Sequence, residues 1–403
     1  MRLYLVNGFR YTLIAGALGA SILAFALARA SALYEQDTAT SVTEAVHLFP
    51  NYALYLDRLA NWQPEQREAM LRRSVELDPF DYDAWTRLGL LTEMQNGDVA
   101  GAEKDFLKAA EVNHMFMPRW TLTNFYYRQQ NVTEFFHWSK LALEVTPYAS
   151  EPIFTQMWAI TQDESLLNAA IPDRPRIILQ YAWFLANNKH FDAVPLVIER
   201  LIHVVGNGNP QDWGRDDLIA ISEDHMLQAG AASPAIKVWA SLNNGGWIKQ
   251  SVPDVYHPLT NGDFRIPFYR HGFDWLGLEE SGVRIDQIAT DAMVRINLFG
   301  DQADKVVLLQ QYVDVEPGKK YNLSWQARSQ EILAPSGLAW HVYPIKGGTG
   351  ELVSGDLLGE SSWNFAAPAD AKAFLLTLEC RRPLGSMRAR GTFSLQTVSM
   401  SQQ

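Results

Sequence analysis

Apolar positions along this chain follow three rhythms in succession. From Tyr11 to Ala28 the sequence YTLIAGALGASILAFALA runs without a charge. As a helix it would span about 27 Å, against a bilayer hydrocarbon core of roughly 30 Å. From about residue 45 to 245 apolar residues return at helical spacing, broken by short polar turns such as Asn96-Gly97-Asp98. Beyond Gly245-Gly246 and Pro253 the rhythm becomes alternating. In KKYNLSWQARS, Tyr321, Leu323, Trp325 and Ala327 fall on one face and Asn322, Ser324, Gln326 and Arg328 on the other, the pattern of a half-buried strand. The preceding VVLLQQYVDV ends in the turn residues Glu316-Pro317-Gly318-Lys319, so the two are expected to pair as an antiparallel hairpin. GLAWHVYPI, KAFLLTLECRR and GTFSLQTVSM supply further strands. The fold class expected is multidomain, α plus β: an N-terminal transmembrane helix (1–32), an α-solenoid (45–245) and an antiparallel β-sandwich (253–403).

The flanks of the first segment set its orientation. Arg2 and Arg10 precede it, while Glu35, Asp37 and Glu44 follow, so the positive-inside bias puts the N-terminus in the cytoplasm and the rest across the membrane. The expectation is a single-pass anchor through residues 11–28 in an inner membrane, with the bulk periplasmic or otherwise extracytoplasmic. Ala26-Leu27-Ala28 and Ala28-Arg29-Ala30 keep a cleaved signal peptide open as the alternative.

Within the helical region, Pro79 in LDPFDYD and Pro147 in VTPYASE stand two periods apart with Asn113 midway, a period of about 34. Trp85, Leu88 and Gly89, then Ala102, Phe106 and Ala109, resemble the tetratricopeptide repeat (TPR). The next period keeps Trp120 and Tyr127, with Asn124 at the glycine position and Phe136 at a small-residue position. Stacked helix pairs leave a concave groove, which this family lines with first helices. The resemblance and the spacing place Asp83, Thr86, Leu90 and Glu93 on that groove, and Thr121, Phe125 and Arg128 one repeat later. Their mixed polarity suits a protein partner. The tryptophans of this region, including Trp62, Trp85 and Trp239, read as packing residues.

NGDF at Asn261–Phe264, the QQYVDVEPGKKYNLSWQARS run and a closing strand resemble the jelly-roll carbohydrate-binding modules with a galactose-binding-like fold. The resemblance implies a glycan site built from exposed aromatic faces and polar neighbours. The residues it points to are Trp275, Tyr312, Trp340 and Trp363, with Arg328 and His341. Where that family has an acidic residue after the motif, this chain has Arg265, and its closing strand reads SLQTVS, so no structural calcium is expected.

Composition narrows the functions further. The net charge of -11, with basic residues only in pairs such as Arg72-Arg73, excludes a nucleic-acid partner. Cys380 is the one cysteine, which excludes an intramolecular disulfide and a thiolate zinc cluster. KGGTGE at 346–351 lacks the ending of a phosphate loop and reads as a hairpin turn. Glu279-Glu280 and SEDH at 222–225 offer carboxylates without a catalytic arrangement. The chain therefore reads as a non-enzymatic scaffold of a bacterial cell envelope, with no cofactor or metal and a protein partner in the groove. By analogy its process is polysaccharide assembly or export. The alternatives are a glycan-binding protein acting through the sandwich and a hydrolase with an unrecognised site.

Overall fold

The computed structural model describes residues 2–95, 97–219, 224–332, 335–347, 350–371 and 373–403; of the motifs named above, positions 96, 222–223, 348–349 and 372 lie outside the described residues. Two compact units emerge, one comprising residues 1–149 and 156–161, the other residues 150–155 and 162–403.

The first unit is helical throughout. Helix α1 (Arg2–Glu35) is long and apolar enough from Thr12 onward to cross a membrane. Its last turns pack Ala30, Leu33 and Tyr34 against α2 (Ala39–Leu48) and Tyr55 of α3 (Ala53–Trp62). Thr38 caps α2, its hydroxyl accepting from the Ser41 amide while the Ser41 hydroxyl accepts from the Thr38 amide. Next come α4 (Arg67–Leu77), α5 (Tyr82–Met94), α6 (Val99–Val112), α7 (Phe116–Arg128) and α8 (Val132–Val145). The pairs α3/α4, α5/α6 and α7/α8 pack as antiparallel hairpins. Asp81, Asp98 and Asn131 cap α5, α6 and α8, each accepting a hydrogen bond from a first-turn amide that has no helical partner. The small Gly89 of α5 admits the Phe106 ring, which a Cβ would approach to 2.7 Å. Buried positions repeat from α5 to α7 at an offset of 34: Ala84, Leu88, Gly89 and Leu91 correspond to Pro118, Leu122, Thr123 and Phe125. Thr123, not Asn124, thus stands in the place of Gly89. Helix α9 (Glu151–Ile160) begins in the second unit and ends in the first.

The second unit joins helices to a sandwich. Its helices are α10 (Glu164–Ala170), α11 (Pro175–Asn187), α12 (Val194–Val205), α13 (Arg215–Leu218), α14 (Asp224–Gln228) and α15 (Ala232–Asn244). Ten strands follow among the described residues: β1 (Leu276–Gly277), β2 (Val283–Ile288), β3 (Met293–Phe299), β4 (Lys305–Val313), β5 (Lys320–Gln330), β6 (Leu338–Ile345), β7 (Leu352–Val353), β8 (Ser362–Ala366), β9 (Ala373–Arg381) and β10 (Arg390–Gln402). They form two antiparallel sheets in the orders β1-β4-β9-β6-β7 and β2-β3-β10-β5-β8. Inward residues of both sheets, among them Trp275, Trp325, Trp340, Phe374 and Phe393, make one continuous core. Joining α15 to the sandwich, Trp239 packs edge-on to Tyr269 and Phe273 and donates its indole N–H to the Ser251 carbonyl at 2.9 Å.

The expected hairpin of β4 with β5 does not form. β4 pairs with β1 and β9, β5 with β10 and β8, and the Glu316–Lys319 turn carries the chain from one sheet to the other. Alternation reveals which side of a strand is buried but not which strand lies beside it, and a turn can cross the core as readily as it reverses within a sheet.

Candidate functional site

Two surfaces gather the chemistry of this chain, one in each unit. In the first unit the first helices of successive pairs are linked side by side. From α5, Arg87 donates to the Asp57 carboxylate of α3 at 2.5 Å and to Asn61. Burial pushes the Asp57 carboxyl up to about 6, against the pull of Arg87. From α7, Arg128 donates to both Glu93 oxygens, at 3.0 and 2.6 Å, and Gln129 adds a bond of 3.2 Å. From α9, Gln156 donates to Asn124 at 2.9 Å. A cavity of about 270 Å³ opens beside this ladder, with Leu90, Leu91 and Met94 as its apolar side and Asn61, Arg67 and Arg87 as its polar side.

The residues expected on the groove are distributed unevenly over it. Leu90 lines the cavity, and Glu93 and Arg128 meet as an ion pair. Asp83 is exposed; Thr86 and Thr121 are half-buried and donate to carbonyls one turn back, Tyr82 and Met117. Phe125 is a correction: it is buried and packs on Phe106 and Tyr126. Aligning Trp85 with Trp120 shifts the helix by one residue from its true offset of 34, which swings the position by about 100° into the core. At the true offset Leu90 corresponds to Asn124, which does lie on the ladder. Asp57, Asn61 and Arg87 were missed because their meaning rests on pairing between the first helices of successive repeats, and only a repeat-by-repeat alignment of those helices could have found them.

In the second unit the outer face of sheet β1-β4-β9-β6-β7 is the polar surface. Register places Gln310, Thr377 and His341 in one cross-strand row and Tyr312, Leu375 and Tyr343 in the next. The buried Glu379 accepts from Tyr343 at 2.7 Å, Thr377 at 3.1 Å and Arg381 at 2.7 Å. Burial opposes its charge, but the bonds from Tyr343 and Arg381 hold its carboxyl below the ordinary range. Arg381 also grips Glu351 through both terminal nitrogens and holds that carboxyl down at about 2. Carboxylates held this acidic are weak bases at neutral pH. His341 lies between them, its Nδ1 3.4 Å from Glu351, and neither ring nitrogen makes a hydrogen bond among the described residues. Burial keeps its pKa below the usual imidazole value. At the other end of the face, Gln310, Tyr312 and Leu375 border a cleft of about 130 Å³ whose far wall is Asp224, Gln228 and His271. There Asp224 accepts from the Gly272 amide at 3.3 Å, and burial raises its pKa.

Of the residues expected to bind glycan, Tyr312 and His341 share this outer face. Trp275 and Trp340 are corrections, since both are fully buried between the sheets. Trp363 packs against the same core and stacks on Phe365 at 4.7 Å. Arg328 is exposed, but on the other sheet, beside Ser394. GLAWHVYPI carries apolar residues on both faces, so alternation could not tell Trp340 inward from His341 outward. His341 itself is buried, covered by the Tyr343 and Arg381 network. The NGDF stretch is structural in its contacts. The Asn261 side chain donates to the Ile266 carbonyl and accepts from the Ile266 amide, the Gly262 carbonyl accepts from the Val398 amide at 2.8 Å, and Phe264 fills the core.

No protein-family model and no curated protein matches this chain. Solved structures are similar to parts of it. A structure described as "YrrB: a TPR protein with an unusual peptide-binding site" is 15% identical, covering 53% of this chain and 95% of that one, with a TM-score of 0.24. One described as "CBM4 structure and function" is 14% identical over 36% of this chain and 99% of that one, with a TM-score of 0.26. The accessory secretory protein 1, 2 and 3 structure of Streptococcus pneumoniae is 13% identical over 32% of this chain and 90% of that one, with a TM-score of 0.24. Each likeness concerns the fold of a part of the chain.

Proposed function

We propose that this chain is a non-catalytic scaffold tethered by α1 to the inner membrane of a bacterial cell envelope, its bulk on the periplasmic side, holding a protein partner along the first-helix face of its repeats. The observation that carries this reading is the cavity at Leu90 and Met94 set beside the side-chain ladder from Asp57 to Gln156. The ladder fixes successive first helices side by side, and the cavity offers an apolar anchor with polar groups at its rim, which is what an extended peptide segment requires. The charged groups of both surfaces are occupied by one another, Asp57 with Arg87 and Glu379 with Arg381, which supports a binding rather than a catalytic role. Retention of α1 is supported by Ala30, fully buried against α2, because cleavage after Ala28 or Ala30 would cut through packed chain.

A photo-crosslinking amino acid placed at Leu90 in cells tests the reading, with the same group at Val132, exposed at the start of α8, as reference. A partner crosslinked from position 90 and lost on Arg87→Glu supports it; equal products from both positions, or none from 90, would defeat it. Tyr312 and Gln310 at the cleft support a second reading, glycan binding by the sandwich, and with it a place in polysaccharide assembly or export. Retention of the full chain on acidic or neutral polysaccharide, abolished by Tyr312→Ala, would favour that reading, and retention unchanged by the substitution would count against this cleft.

A further inference from the structure

The first unit has two edges of different character. Consecutive antiparallel helices put all connections between pairs on one edge and all turns within pairs on the other. The turns within pairs read Gln-Pro-Glu-Gln at 63–66, Gln-Asn-Gly-Asp at 95–98 and Gln-Gln-Asn at 129–131. Each connection between pairs instead exposes a large apolar side chain: Tyr52 at 49%, Phe80 at 79%, Met115 at 65% and Tyr148 at 61%. Contacts place neighbouring connections on one edge: Arg73, one turn before the end of α4, reaches Asn51 at 3.2 Å, and the ring of Phe116, at the start of α7, meets that of Tyr148 at 5.5 Å. At the opposite edge the exposed apolar residues are Trp62, which donates to Asp37, Met94, which lines the cavity beside the ladder, and the smaller Val99 and Val132 at the starts of α6 and α8.

Helix α1 says where the apolar edge points. The turn at 36–38 folds α2 back antiparallel along α1, with Arg29 3.5 Å from Glu44 and Ala30 and Ala45 in one cluster. Continuing that register brings Leu48 level with Phe25, about one helical turn inside the uncharged stretch 11–28. The connection at 49–52, and with it the whole apolar edge, therefore lies at the depth where α1 leaves the bilayer. We propose that this edge rests in the membrane interface, with Tyr52, Phe80, Met115 and Tyr148 inserted among the lipid headgroups and upper acyl chains. Aromatic side chains are favoured at that depth. Asp78 and Asp81 flank Phe80, so the contact is apolar insertion and not adsorption to anionic lipid. The repeat face is thereby presented upright from the membrane and close to it.

This inference rests on the tether reading of α1, and one experiment separates the two. Nitroxide labels are placed on cysteines substituted for Phe80, Tyr148, Gln130 and Leu18, one at a time, in the full chain reconstituted in phosphatidylcholine nanodiscs. Cys380 is buried, with its thiol pushed up to about 11, and serves as an unlabelled background. Accessibility to oxygen relative to a water-soluble nickel chelate is expected to be several-fold higher at 80 and 148 than at 130, and highest at 18. Labels at 80 and 148 as open to nickel as the label at 130, with 18 protected, would overturn the inference and leave the tether standing. A nickel-accessible label at 18 would overturn both.

Discussion

Gly262 and Gly89 use the same missing side chain for different ends. At Gly262 a Cβ would sit 1.9 Å from the Val398 carbonyl oxygen, a backbone atom of β10 that is held in register opposite Trp325 of β5. At Gly89 the obstacle is the Phe106 ring, 2.7 Å away, which can shift within the helix pair while alanine gains helix propensity. Gly262→Ala is therefore expected to cost about 3 kcal/mol and Gly89→Ala about 1 kcal/mol. Urea unfolding of the two variants of the full chain checks the order, and a Gly262→Ala variant as stable as the parent would contradict it. The glycine of NGDF was visible in sequence as part of a motif. Its purpose was not, because the atom it avoids belongs to the closing strand at the far end of the sandwich sequence.

Elements of the repeat are held to one another by side chains as well as by packing. Glu93 is 9% exposed and Arg128 38%, and their two-point contact joins α5 to α7 at the ends remote from the connecting loop. A double-mutant cycle with Glu93→Ala and Arg128→Ala should return a coupling of about 1 kcal/mol in thermal unfolding, discounted for the exposed guanidinium. A coupling near zero would mean that the pair only decorates the face. Most helices and strands were legible at this scale, since the 3.6 and 2.0 periods follow from each segment's own apolar residues. Besides the inward turn of Trp275 and Trp340, two statements about neighbours failed, the β4–β5 hairpin and the position of Phe125. The first needed knowledge of which strand lies beside which, the second an offset correct to a single residue.

At the scale of the whole molecule, α10 to α15 and the sandwich form one compact unit, and Trp239 at its junction is completely buried. A fragment of residues 251–403 would take the Trp239 indole away from Tyr269 and Phe273, and would remove the Asp224 contacts of Gly272 and His271. A fragment of residues 162–403 is expected to melt in a single transition several degrees above the shorter one; equal melting temperatures would show that the helices add nothing to the sandwich. By itself the sequence determined the membrane-length helix, the paired-helix repeat and the β-sandwich, because each is a local rhythm that hydrophobic burial imposes on consecutive residues. Only the tertiary structure decided which side chains meet: Arg87 with Asp57, Arg381 with Glu351 and Glu379, Trp340 turned inward and Tyr312 outward. Arg87–Asp57 and Arg381–Glu351 join residues thirty apart along the chain, and the geometry of all of them is set by helix offset, strand order and register, which no single segment encodes.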